Sequence, residues 1–166
     1  MASNRDEHNM VRRPPAKTLS GFENINYEIG MSENGILFKM IDCTGGGQVS
    51  QLPVYLSDIL TCLRGERPDS KLGFSSGVFK RLFADRNIDS NNNRAFLAAI
   101  LRSEGLIEAL YPEKQAETNF TAEHGPNSAK FKHRLSIFLD GFEESLINVL
   151  EAEKSKNIES NLYFNG

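Results

Sequence analysis

The chain of 166 residues has no tryptophan and only two cysteines, Cys43 and Cys62. Aromatic burial therefore falls to its 11 Phe and 4 Tyr. Two cysteines in apolar segments exclude a disulfide scaffold and read as buried free thiols. No run approaches the ~18 apolar residues of a membrane-spanning helix, so no membrane association is expected. An excess of positive charge is missing too. Lys and Arg number 19 against 22 Asp and Glu, a formal net charge of −3. Non-specific phosphate binding normally shows a basic balance, so only a local basic face remains open to nucleic acid.

The motifs of enzymes are also missing. There is no Gly-x-Ser-x-Gly elbow. Cys43, Cys62, His124 and His133 include no pair at the short spacing of zinc ligands. The Gly45-Gly46-Gly47 loop could bring amides to a phosphate. It is followed by Gln48-Val49-Ser50, not by the Lys-Ser/Thr of a Walker loop, and it does not open a dinucleotide fingerprint. Asp85-Arg86-Asn87-Ile88-Asp89 starts like a calcium loop. It then puts Ser90 where the turn needs Gly and Phe96 where a bidentate Glu must close the shell. The expectation is a protein that is not an enzyme and carries no cofactor.

What is present points to an α+β fold: an N-terminal antiparallel β-hairpin packed against about four helices, the last one long. Residues 24–31 and 36–43 alternate in polarity around Asn34-Gly35, a strong hairpin signal. In the second run Ile36, Phe38, Met40 and Asp42 share one face, opposite Leu37, Lys39, Ile41 and Cys43. A helix is expected over 53–64, with Pro53 in its first turn and Val54, Leu56, Ile59, Leu60 and Leu63 as its stripe. Residues 76–107 read as helix, Asn-rich turn, helix, Gly stop and a strand or short helix. Residues 112–128 read as a surface loop. A final helix is expected over 128–154, on the stripe Phe131, Leu135, Phe138, Leu139, Phe142, Leu146, Val149 and Leu150.

The expected organisation is a flexible tail over 1–21, one domain over 22–155 and a tail over 156–166. The first segment carries Arg5, Arg12, Arg13 and Pro14-Pro15 without the apolar core of a signal peptide, so the expected location is cytoplasmic. Asn161-Leu162-Tyr163-Phe164-Asn165-Gly166 resembles an engineered protease-cleavage tag, departing from it at Ser160 and Asn165. It is left out of functional reasoning.

Two functional expectations follow. The leading one is an intracellular interaction protein (an adaptor, chaperone-like or regulatory subunit) working through protein–protein surfaces. Protein partners or self-association would use Phe131, Leu135, Phe138 and Phe142 on the last stripe. Packing of that stripe into the chain's own core is the competing account. The alternative is a nucleic-acid-binding regulator using 76–107 as a helix–turn–helix with Leu106-Ile107 beginning a wing. Lys80, Arg81, Arg86, Asn93, Arg94 and Arg102 would then contact phosphates and base edges. An ordinary helical hairpin capped by its Asn residues accounts for the same segment without function.

Overall fold

The computed structural model describes residues 10–84, 90–110 and 131–165. It shows the expected α+β architecture. The hairpin is strand β3 (Asn24–Ser32) paired antiparallel with β4 (Gly35–Cys43). Ser32 faces Gly35 across the turn, and Gly35 has φ of 100°, a conformation that favours glycine. The Ser32 hydroxyl accepts from the Asn34 amide at 3.1 Å and donates to the Gly35 carbonyl at 3.1 Å. Gly35→Val is expected to cost about 1–3 kcal/mol through backbone strain, read from denaturant unfolding. The added Cβ itself would meet nothing, so a loss reports the dihedral alone.

Ile25, Tyr27 and Ile29 of β3 face the core with Ile36, Phe38 and Met40 of β4. The alternation then departs from the expectation. A bulge lets the register slip by one residue, so Tyr27 faces Met40 but Asn26 faces Asp42. Cys43 is thereby turned inward beside Ile25, and Asp42 outward, where it accepts from Asn26.

The expected tail over 1–21 needs correcting from Val11 onward. Strands β1 (Val11–Arg12) and β2 (Ala16–Lys17) pair with the free edge of β3, and Ala16 is buried. Edge pairing uses backbone groups, so it requires no apolar periodicity, and Pro14-Pro15 separates the two short runs. Residues 1–9 lie outside the described residues.

On the opposite edge, β5 (Val54–Tyr55) pairs with Leu37 and Phe38 before helix α1 (Leu56–Cys62) begins. The helix expected from Pro53 thus starts three residues late. Val54 and Tyr55 have strand-preferring side chains, and a partner edge is available. The next segment, Ser76–Leu82, is a 3₁₀ helix capped by the Ser75 hydroxyl on the Gly77 amide. Seven residues with Gly77 in the first turn are too few to sustain a stable α-helix.

Helix α2 (Ser90–Ser103) is central. It packs against β2, β3, the 3₁₀ helix and the strand that follows it. Phe96 through Leu101 are all buried, including Ala98 and Ala99. It ends in a Schellman motif. The Leu106 amide donates to the Leu101 carbonyl, the Gly105 amide donates to the Arg102 carbonyl, and Gly105 has φ of 86°.

Beyond it, β6 (Ile107–Ala109) pairs antiparallel with β7 (His133–Leu135), and Phe74 bridges to His133 on the far side of β7. Of the unit expected over 76–107, the structure shows a 3₁₀ helix, an α-helix and a strand, and residues 85–89 between the two helices lie outside the described residues. Residues 111–130, with the expected surface loop, lie outside the described residues. The final helix, α3, spans Leu139–Asn165 rather than starting at 128. Phe131 and Leu135 belong to the β7 segment, and only Phe142 and Leu146 of the stripe are fully buried by α3 itself.

Candidate functional site

Three polar clusters tie these elements together. The first centres on His133, whose ring is 0% exposed. Arg102 of α2 reaches His133 Nδ1 with Nε at 3.1 Å and Nη2 at 2.9 Å. A guanidinium only donates, so Nδ1 accepts and the ring proton sits on Nε2. Nε2 therefore donates to the buried Ser76 Oγ at 3.1 Å. The proton runs the wrong way for a nucleophile, because an activating His must accept from the serine hydroxyl. Burial first, then the charges of Arg102 and Lys132, lower the His133 pKa from 6.5 to about 3. The imidazole is neutral at ordinary pH. The arrangement as built holds strands and helices in place and does not activate Ser76.

The second cluster joins the N-terminal strand to the end of α2. Arg13 Nε donates to Glu104 Oε2 at 2.8 Å and Nη2 to Oε1 at 3.2 Å. The Tyr27 hydroxyl donates to Glu104 Oε2 at 2.5 Å. The Glu104 side chain is 3% exposed, so its charge depends on these donors. Burial, then the Glu104 carboxylate, hold the Tyr27 phenol far above its usual range, so it stays a donor.

The third cluster is the Gly-rich loop. Cys43 Sγ donates to Glu23 Oε2 at 3.3 Å, and the Gly45 and Gly47 amides face the same sulfur. The Gly46 amide donates to the Cys43 carbonyl. The Gly46 amide is thus taken up within the loop, where a phosphate loop would need it turned outward. Burial pushes the Cys43 thiol above its usual value, which disfavours the reactive thiolate.

The described nucleic-acid candidates differ in exposure. Lys80 and Arg81 are exposed on the 3₁₀ helix. Arg102 serves His133 and the Lys132 carbonyl. Asn93 is 0% exposed, accepts from the Ser50 amide at 2.7 Å and donates to the Gln48 carbonyl at 3.1 Å. Arg94 is half-buried, and Arg86 lies outside the described residues, as does the start of the candidate calcium loop. α2 packs against β2, β3, the 3₁₀ helix and β6, and Phe96 to Leu101 in its middle are buried.

Of the partner-binding candidates, Phe131, Leu135 and Phe142 are buried, and Phe138 is 70% exposed. Among the described residues, Leu72, Phe22 and Leu52 are the other exposed large apolar side chains. Among the described residues no group of His, Cys, Asp or Glu is placed to hold a metal, and no helix is long and apolar enough to cross a membrane. No family model, curated protein or solved structure matches the chain.

Sequence reasoning missed the Ser76–His133 and Arg13–Glu104 contacts because the partners lie 57 and 91 residues apart. A local signal for β7 was present. Phe131, His133 and Leu135 alternate with polar residues, at the period of a half-buried strand.

Proposed function

We propose that the protein is a non-enzymatic interaction protein that binds a protein partner, with Phe138 as its apolar anchor. The exposure of Phe138 carries this reading. Every other apolar residue from Phe131 to Leu150 is buried or half-buried, whereas this ring stands in solvent between β7 and α3. Its backbone is fixed, since its carbonyl accepts from the Gly141 amide at 3.1 Å. An aromatic side chain on a fixed backbone is the usual anchor of a protein interface, because little entropy is lost on docking. Asp140, Glu143 and Glu144 are exposed beside it, which suits a partner whose apolar pocket has a basic rim.

The test is affinity capture from native cells with wild type and Phe138→Ala as parallel baits. The expected result is a protein retained by the wild type, lost by the variant, and bound directly once purified, at least tenfold more weakly by Phe138→Ala. Concentration-dependent mass in sedimentation, abolished by the same change, would identify the partner as a second copy. Identical capture by both baits would remove Phe138 from the site.

A second reading, a nucleic-acid-binding regulator, rests on the exposed cations Lys80 and Arg81 of the 3₁₀ helix. Lys80 and Arg81 supply its phosphate contacts, and Arg94 and Arg86 complete the candidate set. It predicts retention on duplex or single-stranded nucleic acid at low salt. Lys80→Ala with Arg81→Ala should then flatten the salt dependence by about one unit of slope per lost contact. No retention of the wild type at low salt rejects it.

A further inference from the structure

His133 carries an unusual share of the ties that hold β7. Its backbone amide donates to the Phe74 carbonyl at 2.7 Å, and its carbonyl accepts from the Phe74 amide at 2.9 Å. Its ring lies against the Phe74 ring, with centroids 5.6 Å apart. Its two ring nitrogens bind Ser76 and Arg102. The fit is tight, since a Cβ at Gly73 would come within 2.6 Å of the His133 carbonyl oxygen. Against this, β7 is three residues long, and its other neighbour is the three-residue β6. One titratable side chain thus makes several of the contacts that dock a short strand.

Among the described residues, the charged groups around it leave no place for a second proton. From α2, Arg102 points two donors at Nδ1. From its own segment, Lys132 adds another positive charge. The 3₁₀ helix contributes the neutral Ser76, and the Phe74 segment an uncharged ring. The nearest carboxylate on β6, Glu108, is engaged by Arg134 at 2.7 Å, one residue along β7 and so on the opposite face. A protonated ring has no acceptor at Nδ1 and would sit about 3 Å from a guanidinium in a site without solvent.

We propose that His133 is an acid-sensitive latch: protonation breaks its contacts with Arg102 and Ser76, releases β7 from Phe74, and uncovers Phe131, Leu135 and Phe74 as an apolar surface. The device is independent of whether Phe138 anchors a partner.

The sign follows from linkage. The docked ring takes up a proton only near pH 3, whereas a released ring does so near 6.5. The docked state is thus favoured fully above about pH 6.5. The opening constant then rises about tenfold per pH unit below that value, and levels off near pH 3.

The test is hydrogen exchange of the full chain between pH 7.5 and 4.5, corrected for the intrinsic pH dependence of exchange. Peptides covering 131–138 are compared with peptides from β3 and β4. The expected result is opening of 131–138 that grows about fiftyfold from pH 6.5 to 4.5 while the hairpin stays protected. His133→Gln should remove that dependence. Should His133→Gln fail to fold, Arg102→Gln serves. It keeps a donor for Nδ1 but removes the facing cation, so its opening should level off at a higher pH than in the wild type. Equal protection of 131–138 at all pH values in the wild type would overturn the latch. So would simultaneous opening of β3, β4 and β7, or a pH dependence that survives His133→Gln.

Discussion

Phe142→Ala is expected to remove about 3–5 kcal/mol of stability in urea unfolding, whereas Phe138→Ala changes it by no more than about 0.5 kcal/mol. The two rings lie one helical turn apart in sequence and have the same chemistry. Phe142 is 0% exposed and belongs to the main core with Leu146, Leu97 and Ile100. Truncating it loses the transfer free energy of the ring and leaves a cavity between α3 and the domain. Phe138 stands in solvent and fills nothing. A domain of this size has about 5–15 kcal/mol in all, so Phe142→Ala should be marginally folded and Phe138→Ala fully folded. A neutral Phe142→Ala would mean that α3 is not held through this residue. A strongly destabilised Phe138→Ala would place that ring in the core and remove it as an anchor.

The second large effect is expected at the junction of the first strand and α2. Glu104→Ala should cost about 3–5 kcal/mol. The substitution leaves the Arg13 guanidinium without its bidentate partner and the buried Tyr27 hydroxyl without its acceptor. Arg13→Ala should cost a similar amount, because the carboxylate it leaves behind is nearly inaccessible to water. The double variant should cost much less than the sum of the two. A double-mutant cycle in denaturant measures that coupling, and additivity would show that the pair is not formed. By the same argument, removing residues 1–20 should lower the thermal midpoint, since Arg13 and the two edge strands go with them. An unchanged midpoint would mean that this segment acts as a free tail after all.

Much of the hairpin was legible before any coordinates. Ile25, Tyr27 and Ile29 face Ile36, Phe38 and Met40 because a strand alternates with period two and Gly35 accepts the turn dihedral. The phase was lost only past the bulge, where one extra residue exchanged Asp42 and Cys43. A bulge is a relation between two strands, and nothing in β4 alone marks it. The last stripe misled for a different reason. Leu135 fits both a helical spacing to Phe131, Phe138 and Leu139 and a strand alternation with Phe131 and His133. Apolar spacing in one segment cannot choose between the two periods, and pairing with β6 chose the strand.

The candidate sites divide along the same line. Asn93 and Arg102 have side chains suited to reading base edges, and residue type is all that a sequence displays. Their occupation by Gln48, Ser50 and His133 depends on contacts 31 to 45 residues distant. By itself the sequence determined the fold class, the hairpin, the identity of the central apolar helix and its Gly105 stop. These rest on local dihedral preferences and on the period of apolar residues, both of which act within a few neighbours. Only the tertiary structure decided that residues 11–17 join the sheet, that His133 is a buried neutral hub, and that Phe138 is the one member of its stripe left mostly exposed. Each of those depends on burial and on hydrogen-bond partners brought together by chain closure, which no local pattern encodes.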